Sequence, residues 1–250
     1  MEQQYIKGIP FCSLEYKRVI DLLKNWLSEK ENKPKFIVTA NPEIVMSAKE
    51  TSAVSVRFKK ILLSADLITA DGIGVILGSK ILKGKLKERV TGADLTHDLI
   101  EYCNQEGYRV FLFGAAPESN AKALENLKIR FPHAVFEGQH GFVKNEQIEE
   151  VKVRIQQFEP HLLLVGLGSP RQEVFIYENL QELNVPLSIG IGGMIDILSG
   201  TVKRAPKLMR DTGTEWLYRL VTQPKRIKRQ LILPKFLLSV MAERVRKSVQ

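Results

Sequence analysis

Three short polar stretches carry residue types that can do chemistry. In Thr69-Ala70-Asp71-Gly72-Ile73-Gly74 a carboxylate follows an apolar run and precedes a glycine. At the end of a strand, with a glycine admitting close approach, such an Asp can act as a general base toward an attacking hydroxyl. Viewed alone, Asp-Gly is more commonly a turn or a helix cap. Thr39-Ala40-Asn41-Pro42-Glu43 lies at a strand-to-helix junction. There Thr and Asn cap the helix or, together with its open amides, hold a phosphate or a sugar; capping is the commoner use. In Lys87-Glu88-Arg89-Val90-Thr91-Gly92-Ala93-Asp94 an arginine precedes another helix start. Most exposed arginines are solvated surface charges, but one aimed into a cleft offers a fork of donors matched to a diphosphate.

Other chemistries find little support. The turns Gly114–Ser119, Gly138–Gly141 and Gly166–Glu173, which includes Gln172, are rich in Gly and polar residues. None carries the GxGxxG dinucleotide fingerprint, and there is no Walker lysine motif. The four histidines are scattered singly, no Cys/His/Asp cluster has metal-ligand spacing, and no Asp-x-Asp pair occurs. No metal and no cofactor are therefore expected. A nucleotide-sugar enzyme of this composition would have to stabilise its leaving group with arginines and helix N-termini.

The elements that must position these residues follow an alternating pattern from about residue 35. Apolar runs at Phe36–Ala40, Leu67–Ala70, Tyr108–Phe113, Ala134–Glu137, His161–Leu167 and Leu187–Ile191 predict strands. Amphipathic stretches at about 43–64, 73–82, 93–106, 118–130, 145–158 and 171–183 predict helices. This order is that of an α/β fold with a Rossmann-like, mainly parallel sheet and helices on both faces. Ligands in such sheets bind beyond the carboxyl ends of the strands, where all three stretches fall.

Beyond Gly200 the pattern changes to two or three short amphipathic helices interrupted by Pro206, Pro224 and Pro234. The charge changes there too. Residues 201–250 contain 13 Lys+Arg against 3 Asp+Glu, leaving 24 against 25 of the chain's 37 and 28 for residues 1–200. The division expected is a catalytic body, 1–200, and a basic appendage, 201–250. The apolar residues Ile227, Leu231, Ile232, Phe236, Leu237 and Val240, set among lysines and arginines, suit a helix lying in an anionic membrane interface. A helix packed on the sheet with a solvated basic edge would leave the same pattern; concentration of the whole net charge favours the membrane. With no apolar run of eighteen residues and no signal-peptide layout at the N-terminus, the expected location is cytoplasmic, against the inner face of the membrane. Cys12 and Cys103 stand far apart and read as reduced, buried thiols.

Taken together, Thr39–Glu43, Ala70–Gly74, Arg89–Leu95, Gly166–Glu173, Gly200–Pro206 and Glu215–Leu220 resemble the WecG/TagA/CpsF family of bacterial glycosyltransferases. The joint order and spacing are specific, and the likeness runs from about residue 5 to about 240. It is greatest to the TagA-type members, which transfer N-acetylmannosamine from UDP-ManNAc to undecaprenyl-diphosphate-GlcNAc with inversion and without a metal. The resemblance implies Asp71 as catalytic base, with Thr39 and Asn41 beside the reacting sugars. It implies substrate-binding roles for Arg89, Gln172, Arg219, Arg226 and Arg229, the last three closing over the site from the appendage. It also implies a UDP-sugar donor, a polyprenyl-diphosphate-linked acceptor, a peripheral membrane enzyme and a possible homo-oligomer. Relatives transferring a uronic acid or glucose keep the sugar open. Thr214 departs from the pattern, standing where Leu is common. Two readings of other classes compete. A nucleic-acid-binding protein could use the basic tail, but no recognition motif or stacking aromatics accompany the charges, so no nucleic acid is expected. An oxidoreductase lacks its fingerprint.

Overall fold

The structure is a computed structural model and describes residues 2–29, 33–49, 51–215, 217–218 and 232–249. An antiparallel hairpin, β1 (Gln3–Ile6) and β2 (Ile9–Cys12), opens the chain and is followed by α1 (Tyr16–Ser28). Both precede residue 35, where the predicted alternation begins, and were not foreseen. The remaining strands form one six-stranded sheet: β3 (Lys35–Ala40), β4 (Leu67–Ala70), β5 (Arg109–Gly114), β6 (Val135–Gln139), β7 (Leu162–Gly166) and β8 (Leu187–Gly190). Their order is β4-β3-β8-β7-β5-β6, and every pairing is parallel. The α/β expectation holds, and each predicted strand is present to within a residue or two.

Alternation along the strands builds two cores, one on each face. Phe36, Val38, Phe111, Phe113, Leu163 and Val165 point to one face, where α2 (Pro42–Ser47), α3 (Ala53–Leu63), α4 (Ile73–Ile81), α7 (Ile148–Phe158) and α8 (Arg171–Leu183) cover them. Ile37, Val110, Leu112, Leu162, Leu164, Leu187 and Ile189 point to the other, under α1, α5 (Gly92–Glu106), α6 (Pro117–Arg130) and α9 (Met194–Leu198). Strands buried on both faces are apolar at nearly every position, which is why they were legible as short continuous runs.

The predicted helix over 43–64 is two helices. The chain leaves α2 after Ser47 and re-enters at Ala53, where the Ser52 hydroxyl accepts from the Ser55 amide at 3.2 Å and Ser55 Oγ accepts from the Ser52 amide at 3.0 Å. Serines that bond reciprocally to local backbone stabilise a helix start in place of a continuous helix.

The C-terminal stretch holds α10 (Lys207–Asp211) and α11 (Ile232–Val249). Pro234 does not interrupt α11, because it stands in the first turn, where an amide hydrogen has no intrahelical acceptor. Phe236 and Val240 are fully buried in the same core as the sheet. They lie against α4 at Gly78, where a Cβ would sit 3.0 Å from the Phe236 ring, so glycine is what lets the two helices approach. Packing onto the body thus accounts for these two apolar residues. The opposite side of α11 leaves Leu238, Met241 and Val245 exposed. Thr214 lies between helices, its amide and hydroxyl donating to the Met209 carbonyl at 2.8 and 3.3 Å, so its polar side chain closes the end of α10. Among the described residues no helix is long and apolar enough to cross a membrane. Phe236→Ala should lower unfolding stability by about 3–5 kcal/mol, read as a shift in the urea midpoint, whereas Leu238→Ala, at an exposed site, should shift it by less than about 1 kcal/mol.

Candidate active site

Parallel pairing of β4, β3, β8 and β7 sets their carboxyl ends side by side, and the turns leaving them enclose a cavity of about 500 Å³. Its lining includes Thr39, Asn41, Asp71, Arg89 and Gln172, so five residues separated by up to 133 positions meet in one place.

Asp71 follows β4 directly. Its amide donates to the Ala40 carbonyl at 3.0 Å, which carries the β3–β4 pairing one residue past the strand and holds the carboxyl at the sheet edge. Gly72 then turns the chain with φ +91°, a backbone region open to glycine, and α4 begins. The first turn of α5 approaches from the side, its Gly92 amide lying 3.4 Å from Asp71 Oδ2.

Thr39 is buried at the end of β3, and its hydroxyl donates to the Gly190 carbonyl at 3.3 Å, tying β3 to the turn after β8. Asn41 Oδ1 accepts from the Ile44 amide at 3.0 Å, capping α2. The capping use is therefore real, and it leaves the Nδ2 amide as the end of the side chain not spent on the cap. Arg89 reaches the cavity because Val90 is laced to β4: its amide donates to Ala70 O at 2.9 Å, and its carbonyl accepts from the Thr69 hydroxyl at 3.0 Å.

Gln172, in the first turn of α8, is almost wholly buried. Its Oε1 accepts from the Gly192 amide at 3.0 Å, and its Nε2 donates to Glu173 Oε1 at 2.8 Å. Glu173 is buried as well, and burial raises its carboxyl above the usual range despite the opposing Gln172 amide.

The lining also includes Asp196 and Arg204, to which no role was assigned from sequence. Asp196, in the first turn of α9, stands on a helix too short to be recognised by periodicity. Arg204, within the quoted Gly200–Pro206 stretch, is ion-paired to Asp94 at the start of α5. Asp94 also accepts from the Thr91 hydroxyl at 2.7 Å, a local pairing visible as Thr-x-x-Asp; its long-range partner left no sequence signal. The carbonyl of Asp196 accepts from the Val202 amide at 3.1 Å, so residues 202–205 are held to the body and form part of the cavity wall. Arg219, Arg226 and Arg229 lie outside the described residues.

Folding does bring together one group of metal-ligand types among the described residues: His97, Asp98 and Glu101 offer atoms within 4.8 Å of one another. None lines the cavity. Asp98 is engaged by the Tyr16 hydroxyl at 2.7 Å, and the Arg130 guanidinium lies 3.0 Å from His97 Nε2, where a cation would oppose a metal ion.

The arrangement is a carboxylate on one side of a polar cavity, with hydroxyl, amide and guanidinium groups around it. It can take a proton from a bound hydroxyl and hold oxygen-rich substrates, including phosphates. The comparisons with known proteins agree with this chemistry. The profile of the Glycosyl transferase WecG/TagA/CpsF family matches residues 4–250. A Bacillus spizizenii protein named N-acetylglucosaminyldiphosphoundecaprenol N-acetyl-beta-D-mannosaminyltransferase is 36% identical over 242 residues, which is 96% of this chain and 91% of the relative. Proteins of the same name from Bacillus subtilis, 32% identical over 249 residues (99% and 94%), and Staphylococcus aureus, 32% identical over 235 residues (94% and 91%), are also similar. With the profile spanning almost the whole length and relatives matching end to end, the chain belongs to the WecG/TagA/CpsF family of glycosyl transferases.

Proposed function

We propose that this glycosyl transferase moves N-acetylmannosamine from UDP-ManNAc to undecaprenyl-diphosphate-GlcNAc, the linkage-unit step of wall teichoic acid synthesis. The observation that carries the reading is the Asp71 carboxylate at the rim of β4, facing a cavity that also gathers Thr39, Asn41, Arg89 and Gln172. The names of the relatives supply the sugar and the acceptor.

Asp71 removes the proton from the 4-hydroxyl of the acceptor GlcNAc as that oxygen attacks the anomeric carbon of the donor. The new C–O bond forms as the bond to the diphosphate oxygen breaks from the opposite side, which inverts the anomeric centre. UDP leaves with its bonding pair, and its charge is met by arginines, Arg89 among them, and by backbone amides. Thr39 and Asn41 hold the reacting sugars. A metal has no assigned part, since the side chains around Asp71 already provide cationic and hydrogen-bonding groups.

We assign Arg219, Arg226 and Arg229 to closing the cavity over the bound substrates at the inner face of the membrane. Three features support this. The net charge lies wholly in residues 201–250, Ile232 and Leu233 at the start of α11 already line the cavity, and Leu238, Met241 and Val245 leave an apolar strip exposed on the opposite side of the same helix. Residues 1–200 form the catalytic body and residues 201–250 the appendage, which is laced to the body through residues 202–205. A homo-oligomer that opens to let the appendage close belongs to the same proposal.

Acceptor-dependent UDP release from UDP-ManNAc, measured with EDTA present, tests the reaction. Asp71→Asn should keep the fold and UDP binding while turnover falls by ~10²–10⁴; near-normal turnover would remove Asp71 from the role of base. Replacing Arg219, Arg226 and Arg229 together by Ala should lower both turnover and co-sedimentation with anionic vesicles, most clearly at low salt. Loss of sedimentation with turnover intact would reduce those arginines to anchors.

A further inference from the structure

Among the described residues, Glu173 is the one buried carboxyl beside the cavity that the mechanism above does not use. It is 1% exposed, and its Oε2 makes no well-formed hydrogen bond, the buried Ser169 hydroxyl of the same turn being the group that faces the carboxyl and partly offsets its burial. Its other oxygen, Oε1, accepts from Gln172 Nε2 at 2.8 Å. Burying a carboxyl is unfavourable even with the Gln172 and Ser169 side chains beside it, and an apolar residue of similar size would fill the space without that cost.

We propose that Glu173 is a positioning residue: by accepting from Gln172 Nε2 it holds the Gln172 amide in the one orientation that pins the turn Gly190–Gly193 against the cavity wall. A side-chain amide has a donor end and an acceptor end. The Gly192 amide, 3.0 Å from Gln172, is a donor, so only Gln172 Oε1 can satisfy it. If the amide rotated by half a turn, Nε2 would face the Gly192 N–H donor to donor, and Oε1 would face the Glu173 oxygen acceptor to acceptor. The Gly192 amide penalises the wrong rotamer at one end and Glu173 at the other.

The pinned turn matters because of what it touches. Gln172 packs directly on Gly190, where a Cβ would come within 2.6 Å of Nε2. The Gly190 carbonyl takes the Thr39 hydroxyl, and Gly190, Gly192 and Gly193 all line the cavity. Glu173 thus acts on the site through Gln172, the glycine turn and Thr39 without touching substrate. Because burial favours the uncharged acid, a glutamine at 173 reproduces both the shape and the accepting carbonyl.

The test compares wild type with Glu173→Gln, with Glu173→Leu or, as a second apolar replacement, Glu173→Met, with Gln172→Ala, and with the Gln172→Ala/Glu173→Leu double variant. Two readouts are taken: amide hydrogen exchange at Gly192, and kcat and KM for transfer. The kinetic readout rests on the reaction proposed above; the exchange readout does not. In the apolar variants Gly192 should exchange at least about tenfold faster, as a local opening no longer opposed by the Gln172 bond. Their kcat should fall by ~10–100-fold with thermal stability at or above that of wild type, a split that a purely structural role would not produce. Glu173→Gln should restore both readouts, and the double variant should be no worse than Gln172→Ala alone, because the two residues act as one unit. Apolar variants that keep Gly192 protected and kcat within about twofold, or losses that multiply in the double variant, would overturn the proposal. Should wild type release no UDP from UDP-ManNAc, the substrate reading falls, and Gly192 exchange alone still decides the role of Glu173.

Discussion

The site depends on the parallel pairing of four neighbouring strands. With β4, β3, β8 and β7 running the same way, their carboxyl ends share one edge, and each strand hands its chain to a turn at that edge. An antiparallel neighbour would have sent one of these turns to the opposite end. The pairing continues past the strands themselves, through Asp71 to Ala40 O and Val90 to Ala70 O. Those two backbone bonds place the Asp71 carboxyl and carry Arg89 to the same cavity, so the geometry of the site extends the hydrogen-bond ladder of the sheet.

Within this frame, charge and its absence are distributed to different ends. Asp71 and Arg89 are half-buried in the cavity lining, where they can meet substrate. Glu173 lies behind the wall, uncompensated by a cation, and burial favours its neutral form. Arg204 and Asp94 neutralise each other where the chain leaves the body, fastening residues 202–205 to the start of α5. The carboxyl proposed as base, the one that accepts from the Gln172 amide and the one that anchors a crossing segment are thus separated by solvent access and by partner.

The last helix joins the two halves of the expected division. Its inner side belongs to the sheet's core through Phe236 and Val240, and its first residues reach the cavity. The amphipathic pattern had two physical solutions, protein or lipid, and the helix places one side on protein while Leu238, Met241 and Val245 remain exposed on the other. Hydrophobic periodicity registers that a side chain leaves water but carries no information about what replaces the water.

The α/β class, the six strands of the sheet and the family were legible in the sequence, because doubly buried strands are unbroken apolar runs and the turn motifs keep a specific order. The sequence also marked Asp71, Thr39, Asn41, Arg89 and Gln172, whose residue types suit the chemistry. Tertiary structure alone decided what depends on contacts between distant positions. It set the strand order, joined Arg204 to Asp94 across 110 residues, seated Phe236 on Gly78, and bound Gln172 to the Gly192 amide. Local pattern reports each residue's preference for helix, strand or burial. It does not report which distant partner meets that preference, since that choice is made by packing and by the pairing of every buried polar group at once.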